Sequence, residues 1–173
     1  MTEKTTPRRS RVLDPLKRFL KAHQCAFEIN PATGGVHMGI TGEVATWRCM
    51  GCEDDAGRFV FISLLPFIAP QARRQACAEL LARINVRLGL GRFDLDFRDG
   101  ELRFFSSVPL GHQARLSSDV ILDVLNGHRT IVDGFVPALA AVLFAGLSPE
   151  KALALEAAGN KAENEEAPRF SLN

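Results

Sequence analysis

Cys49-Met-Gly-Cys52 is the one place in the chain where cysteines stand at a spacing that chemistry could use. Two thiols three apart can form a redox pair or supply half of a zinc site. A redox pair of this spacing works at a strand-to-helix junction, where the helix N-terminus stabilises a thiolate. Here the next residues are Glu53-Asp54-Asp55-Ala56-Gly57, acidic and turn-forming, which would raise a thiol pKa. If the chain is extended from Trp47 to Cys52, the sulfurs point to opposite faces. Their Cα atoms then lie about 10 Å apart, beyond the roughly 7 Å that a disulfide tolerates.

Zinc needs two further ligands, and no second C-x-x-C or H-x3-5-H follows. Cys25, Cys77, His23, His37, His112 and His128 could supply them only through long-range folding. The residues therefore predict ordinary cysteines of a reducing cytosol, no metal and no cofactor. A thiol-redox or zinc-binding protein using Cys49 and Cys52 is the alternative. Cys77, on an apolar helix face, reads as core.

Other groups invite a chemical reading and receive a plainer one. Asp94 and Asp96 share a face of a predicted hairpin, but Arg103 is expected opposite Asp96, which makes a solvated charged face and not an acid/base pair. His128 lies on the apolar side of a long helix and reads as a core histidine. Gly89-Leu-Gly91 follows a helix and precedes a strand, the reverse of dinucleotide-binding order, and no G-x-S-x-G occurs. No catalytic residue is assigned, and the chain reads as a non-enzyme. Phe105 is different, because hairpin parity places it beside Asp94, Asp96 and Arg103. An aromatic on a polar face can mark a partner site, so Phe105 is the candidate partner-binding residue, unless a neighbouring strand, helix or second subunit covers it.

The elements that must position these groups can be read from period and punctuation. Asp14-Pro15 predicts a helix start with Asp14 as N-cap, followed by Leu16, Phe19 and Leu20 on one face. Short extended segments follow at 26–29, 36–41, 44–50 and 58–65. The last, RFVFISLL, is apolar on both faces, as a covered central strand would be. Gln71 to Leu88 turns helical, with Cys77, Leu80, Leu81, Ile84 and Leu88 on one side and Gly89 as the stop.

Asp99-Gly100 between two alternating runs predicts a two-residue hairpin turn. It would place Arg98 opposite Glu101, Phe97 opposite Leu102, Asp96 opposite Arg103 and Leu95 opposite Phe104. Ser117 or Ser118 caps a last long helix, with a kink expected near Gly134 because of Pro137. Ser148-Pro149-Glu150 starts a short closing helix. The order, condensed to α-β-β-β-α-β-β-α, is that of an α+β fold: an antiparallel β-sheet flanked by helices, mainly on one face.

With 173 residues and 46% hydrophobic composition, one core is expected. The division is a single α+β domain over 12–158 between disordered tails at 1–11 and 159–173. A net charge of +1 removes any global electrostatic argument for nucleic acid or anionic lipid, and Arg8, Arg9 and Arg11 are too few to restore one. The apolar stretch from Phe135 to Leu147 is too short to span a bilayer, and the polar N-terminus lacks an apolar signal core. A cytoplasmic, membrane-free protein is expected.

Several of these residues also carry a family likeness: Leu65-Pro66; Arg83-Ile-Asn85-Val-Arg-Leu-Gly89; Gly91 through Phe104; Phe135-Val-Pro137-Ala-Leu139; and Ser148-Pro149-Glu150. Together, over about Val44 to Leu155, they resemble the YbjN family of bacterial proteins, most specifically from Asn85 to Phe104. Phe104 and Phe135 stand where tyrosine is expected, and the chain has no tyrosine. The resemblance implies a sandwich similar to the type III secretion chaperones, with protomers that pair as a homodimer. It also implies a noncatalytic chaperone-like or sensory-transduction regulatory module that binds a protein partner. It carries over no cofactor and no catalytic residue.

Overall fold

In the computed structural model, which describes residues 10–111 and 114–154, the element order is the expected one. Helix α1 (Leu13–Ala22) is followed by strands β1 (Phe27–Ile29), β2 (Val36–Thr41), β3 (Thr46–Glu53) and β4 (Phe59–Ile68). After a single 3-10 turn at Gln71–Arg73 come α2 (Arg74–Asn85), β5 (Arg92–Leu95), β6 (Glu101–Val108) and α3 (Ser118–Leu143). All four extended segments before α2 become strands, one more than in the condensed order, because even the short β1 pairs with β2. The six strands form one antiparallel sheet in the order β1-β2-β3-β4-β6-β5.

One face of this sheet meets the helices. Leu16 of α1 packs over Gly51 of β3, where an added Cβ would come within 2.7 Å of Leu16 Cδ2. Phe135 of α3 meets Phe93 of β5 edge to face at 5.9 Å, and α3 also lies over β4 and β6. The core between the layers includes Phe59, Phe61, Phe93, Phe104, Leu80, Ile84 and Leu139, all essentially without solvent contact.

Four local readings are corrected. The cap of α1 is not Asp14: the helix starts at Leu13, and Ser10 Oγ accepts from the Leu13 and Val12 amides at 2.7 and 3.2 Å. Asp14 sits in the first turn, where its charge still suits the helix dipole. Ser10 also donates to Glu53 and Arg11 O accepts from Leu116 N, so the end of the expected N-terminal tail is tied to the fold. The remainder of that tail, the tail at 159–173 and His112 lie outside the described residues. Helix α2 ends at Asn85, short of Gly89: beyond it the backbone closes three-residue turns, Arg87 N to Ile84 O and Leu88 N to Asn85 O, and the Asn85 side chain bonds β5.

The hairpin is the instructive correction. Its register pairs Phe93 with Phe104, Asp94 with Arg103 and Leu95 with Leu102, two residues away from the expected one. Residues 97–100 form a longer turn, closed by Gly100 N to Asp96 O at 2.8 Å with Gly100 at φ +85°. A two-residue shift keeps every side chain on its face, so the alternation gives the faces and leaves the register open. The register is set from outside the ribbon. Arg74 donates to the carbonyls of Phe97 and Arg98 at 2.7 and 3.3 Å, and Ala69 N bonds Gly100 O at 2.8 Å. Phe97, expected opposite Leu102, is instead half exposed at the turn.

Ser117 is the N-cap of α3, accepting from Val120 N, and α3 runs as one helix across Pro137, whose missing N–H leaves the Asp133 carbonyl without its helical donor. Ser148 caps a closing helical stretch over 149–154.

Candidate functional site

Strand alternation decides the fate of Cys49-Met-Gly-Cys52. On β3, Trp47, Cys49 and Gly51 face the helices, while Arg48, Met50 and Cys52 face away. The two sulfurs therefore stand on opposite faces and cannot share a disulfide or a metal. Burial, and secondarily the Asp54 carboxylate, raises the Cys52 thiol above its ordinary value; burial pushes Cys49 and Cys77 up to about 11. These are protonated, weakly nucleophilic thiols. Among the described residues no cluster of three or more His, Cys, Asp or Glu could hold a metal ion. The motif's glycine has the clearer role, since Gly51 is what lets Leu16 and α1 approach the sheet.

Cys49 instead ends a buried polar chain. Its Sγ lies 3.3 Å from Ser63 Oγ, Ser63 Oγ lies 2.9 Å from His128 Nδ1, and Ser106 Oγ lies 2.8 Å from His128 Nε2. Ser63, Ser106 and His128 are each buried, and His128 is flanked edge to face by Phe61 at 4.8 Å and Phe104 at 4.6 Å. Burial lowers the His128 pKa to about 3, so the ring is neutral. A neutral imidazole donates from one nitrogen and accepts at the other, which matches one hydroxyl on each side. The set resembles a nucleophile and base in its atoms but has no opening for a substrate. It joins α3 to β4 and β6 with every nitrogen satisfied.

The expected core reading of His128 thus stands, and its serine partners are additions. They had a signal: Ser63 in FVFISLL and Ser106 in FFSSV fall at inward parity in apolar strands, where a hydroxyl needs a partner. Two further side chains hold turns. Asp133 accepts from the amides of Glu43, Val44 and Ala45 at 2.7 to 3.2 Å, fixing the β2–β3 turn to α3. Arg74 holds the hairpin turn as described.

The other face of the sheet carries no helix among the described residues. The registers align Glu28, His37, Met50, Ile62, Phe105 and Arg92 in one row across all six strands. Met50, Ile62 and Phe105 form an apolar centre, partly exposed, with charged residues at both ends. The Arg92 guanidinium lies over the Phe105 ring, 4.5 Å from its centroid, and Arg92 also pairs with Asp94 at 3.0 Å. Phe105 is on this face with Asp94 and Arg103, as expected, and Arg103 bonds Glu101. Asp96 is corrected: its partner is Arg98 in the turn, at 2.7 Å, not Arg103. Hydrogen bonds from Arg98 hold the Asp96 carboxyl well below the usual range. No membrane-spanning helix occurs among the described residues.

Comparison with known proteins agrees with this architecture. A family model described as "YbjN: Putative bacterial sensory transduction regulator" matches residues 13–141. That span reaches further toward the N-terminus than the residues that suggested the likeness. A solved structure, "Crystal structure of YbjN, a putative transcription regulator from E. coli", is similar with a TM-score of 0.54 and 14% identity, covering 70% of this chain and 85% of that one. At that identity the likeness is one of fold. No curated protein matches the chain.

Proposed function

The chain belongs to the YbjN family, and from that premise we propose that it is a noncatalytic, chaperone-like regulatory module that binds a protein partner, works as a homodimer and resides in the cytoplasm. The observation that carries this reading is the contrast between the two sheet faces. Cys49, Ser63, His128 and Ser106 are buried and bonded to one another, whereas the helix-free face presents Phe105, Met50 and Ile62 within a charged surround. An apolar centre with a polar rim is the ordinary anatomy of a protein-binding surface. Phe105, braced by Arg92, is the residue to which the partner contact is assigned.

Light scattering tests the first part: the reading expects twice the 18.9 kDa chain mass, and a strictly monomeric protein would contradict the homodimer. Crosslinking in the native cell tests the second. A specific polypeptide should be recovered with the wild type and lost with Phe105→Ser, while recovery unaffected by that change would remove Phe105 from the site.

A further inference from the structure

The sheet has two edges, and the chain treats them differently. At β5, the bond from Asp96 N to Glu101 O together with the observed register turns the main-chain groups of Phe93 and Leu95 outward. Asn85 fills the first of these places. Its Nδ2 donates to Phe93 O at 2.9 Å and its Oδ1 accepts from Phe93 N at 2.8 Å. One side-chain amide thus makes the pair of bonds that a residue of an added strand would make. At β1, the bond from Asn30 N to Gly35 O and the register with β2 turn the N–H and C=O of Phe27 and Ile29 outward. Among the described residues no strand lies beyond β1. Ile29 is 49% exposed, an apolar side chain at the edge with one flank uncovered.

We propose that the β1 edge takes a partner by strand addition, and that the partner is an extended segment with a basic residue where it passes Glu28 and apolar residues on either side. This rests on the protein-binding reading and locates one contact of it. The backbone groups call for a main chain, which no small ligand or helix supplies in this spacing. Glu28 is exposed and projects to the outer face between the two outward-turned residues, so a cation opposite it is favoured. A second copy pairing through β1 about a two-fold at Glu28 would set like charges against each other, so a heterologous strand is the occupant. An apolar neighbour on the helix side would cover Ile29. The edge is only three residues long, which limits self-pairing and makes the added side-chain contacts decide the choice of partner.

The test is an NMR titration of the full chain with an N-acetylated, amidated heptapeptide alternating valine and lysine, beside its valine–glutamate counterpart. The inference expects the Phe27 and Ile29 amides to shift with the lysine peptide, and at least tenfold weaker binding of the glutamate peptide. Glu28→Lys, an exposed change, should reverse that preference. Ile29→Pro removes only an outward N–H, which an edge strand tolerates, and should abolish binding while the amide spectrum of β3, β4 and β6 is preserved. Shifts at Met50, Ile62 and Phe105 instead would overturn the edge and leave the binding module standing. Shifts at Phe93 and Leu95, pairing between two copies through β1, or no shift at millimolar peptide would also overturn it.

Discussion

The two faces of the β4–β6 pair are built from neighbouring residues and do opposite things. Ser63 and Ser106 point inward to His128, whereas Ile62 and Phe105, one residue away on the same strands, point outward. Inward, both serine hydroxyls and both ring nitrogens are paired, and a buried donor without an acceptor would cost about 1–3 kcal/mol. Outward, an aromatic ring is left partly in water beside Ile62, with an arginine over its face. Cys49 and His128, which look reactive in the sequence, therefore belong to the set that holds the layers together, and the residue assigned to binding has no reactive group at all.

The largest test of that division is His128→Ala. It should leave two buried hydroxyls unpaired beside a cavity and cost roughly 3–5 kcal/mol in urea unfolding. The same truncation outside, Phe105→Ala, should cost no more than about 1 kcal/mol. Equal costs would erase the difference between the faces. Acid sharpens the comparison. Between pH 6.5 and about 3 the unfolded chain protonates His128 while the folded chain does not. Its contribution is thus complete above pH 6.5 and is lost, by on the order of a few kcal/mol, as pH falls toward 3. The variant Ser63→Ala, Ser106→Ala, His128→Leu should show a visibly flatter stability curve across that range.

A smaller effect belongs to Gly51, where a methyl group would press on Leu16. Gly51→Ala should destabilise by about 1–3 kcal/mol, seen as a lower melting temperature. Smallest is Cys52→Ser, within about 0.5 kcal/mol because Cys52 faces outward. In the native protein a thiol reagent should modify Cys52 well before Cys49 and Cys77, which should react only on unfolding.

Much of this was legible in the chain because it depends on parity and period. Alternation through Trp47–Cys52 separates the two sulfurs, alternation through Glu101–Val108 puts Phe105 outside, and the 3.6-residue period puts His128 inside. What was not legible depends on contacts distant in sequence. The hairpin register follows from Arg74, 23 residues before the Phe97 carbonyl it holds, and the β2–β3 turn from Asp133, 90 residues after Glu43. The start of α1 depends on Ser10, which reaches over Arg11 and Val12 to cap it, while Asp14-Pro15 carries an equally good local signal one residue inside the helix. Ser63 and Ser106 were readable as inward serines but not as a pair, since only the third dimension brings them to one ring.

The most direct measurement compares Phe105→Ser with the double variant Cys49→Ser, Cys52→Ser, each scored for its unfolding midpoint and for crosslinked partner recovered from the native cell. The account predicts that Phe105→Ser stays folded and loses the partner, while the cysteine variant keeps it. Partner recovery that survives Phe105→Ser and disappears with the cysteines would contradict the account.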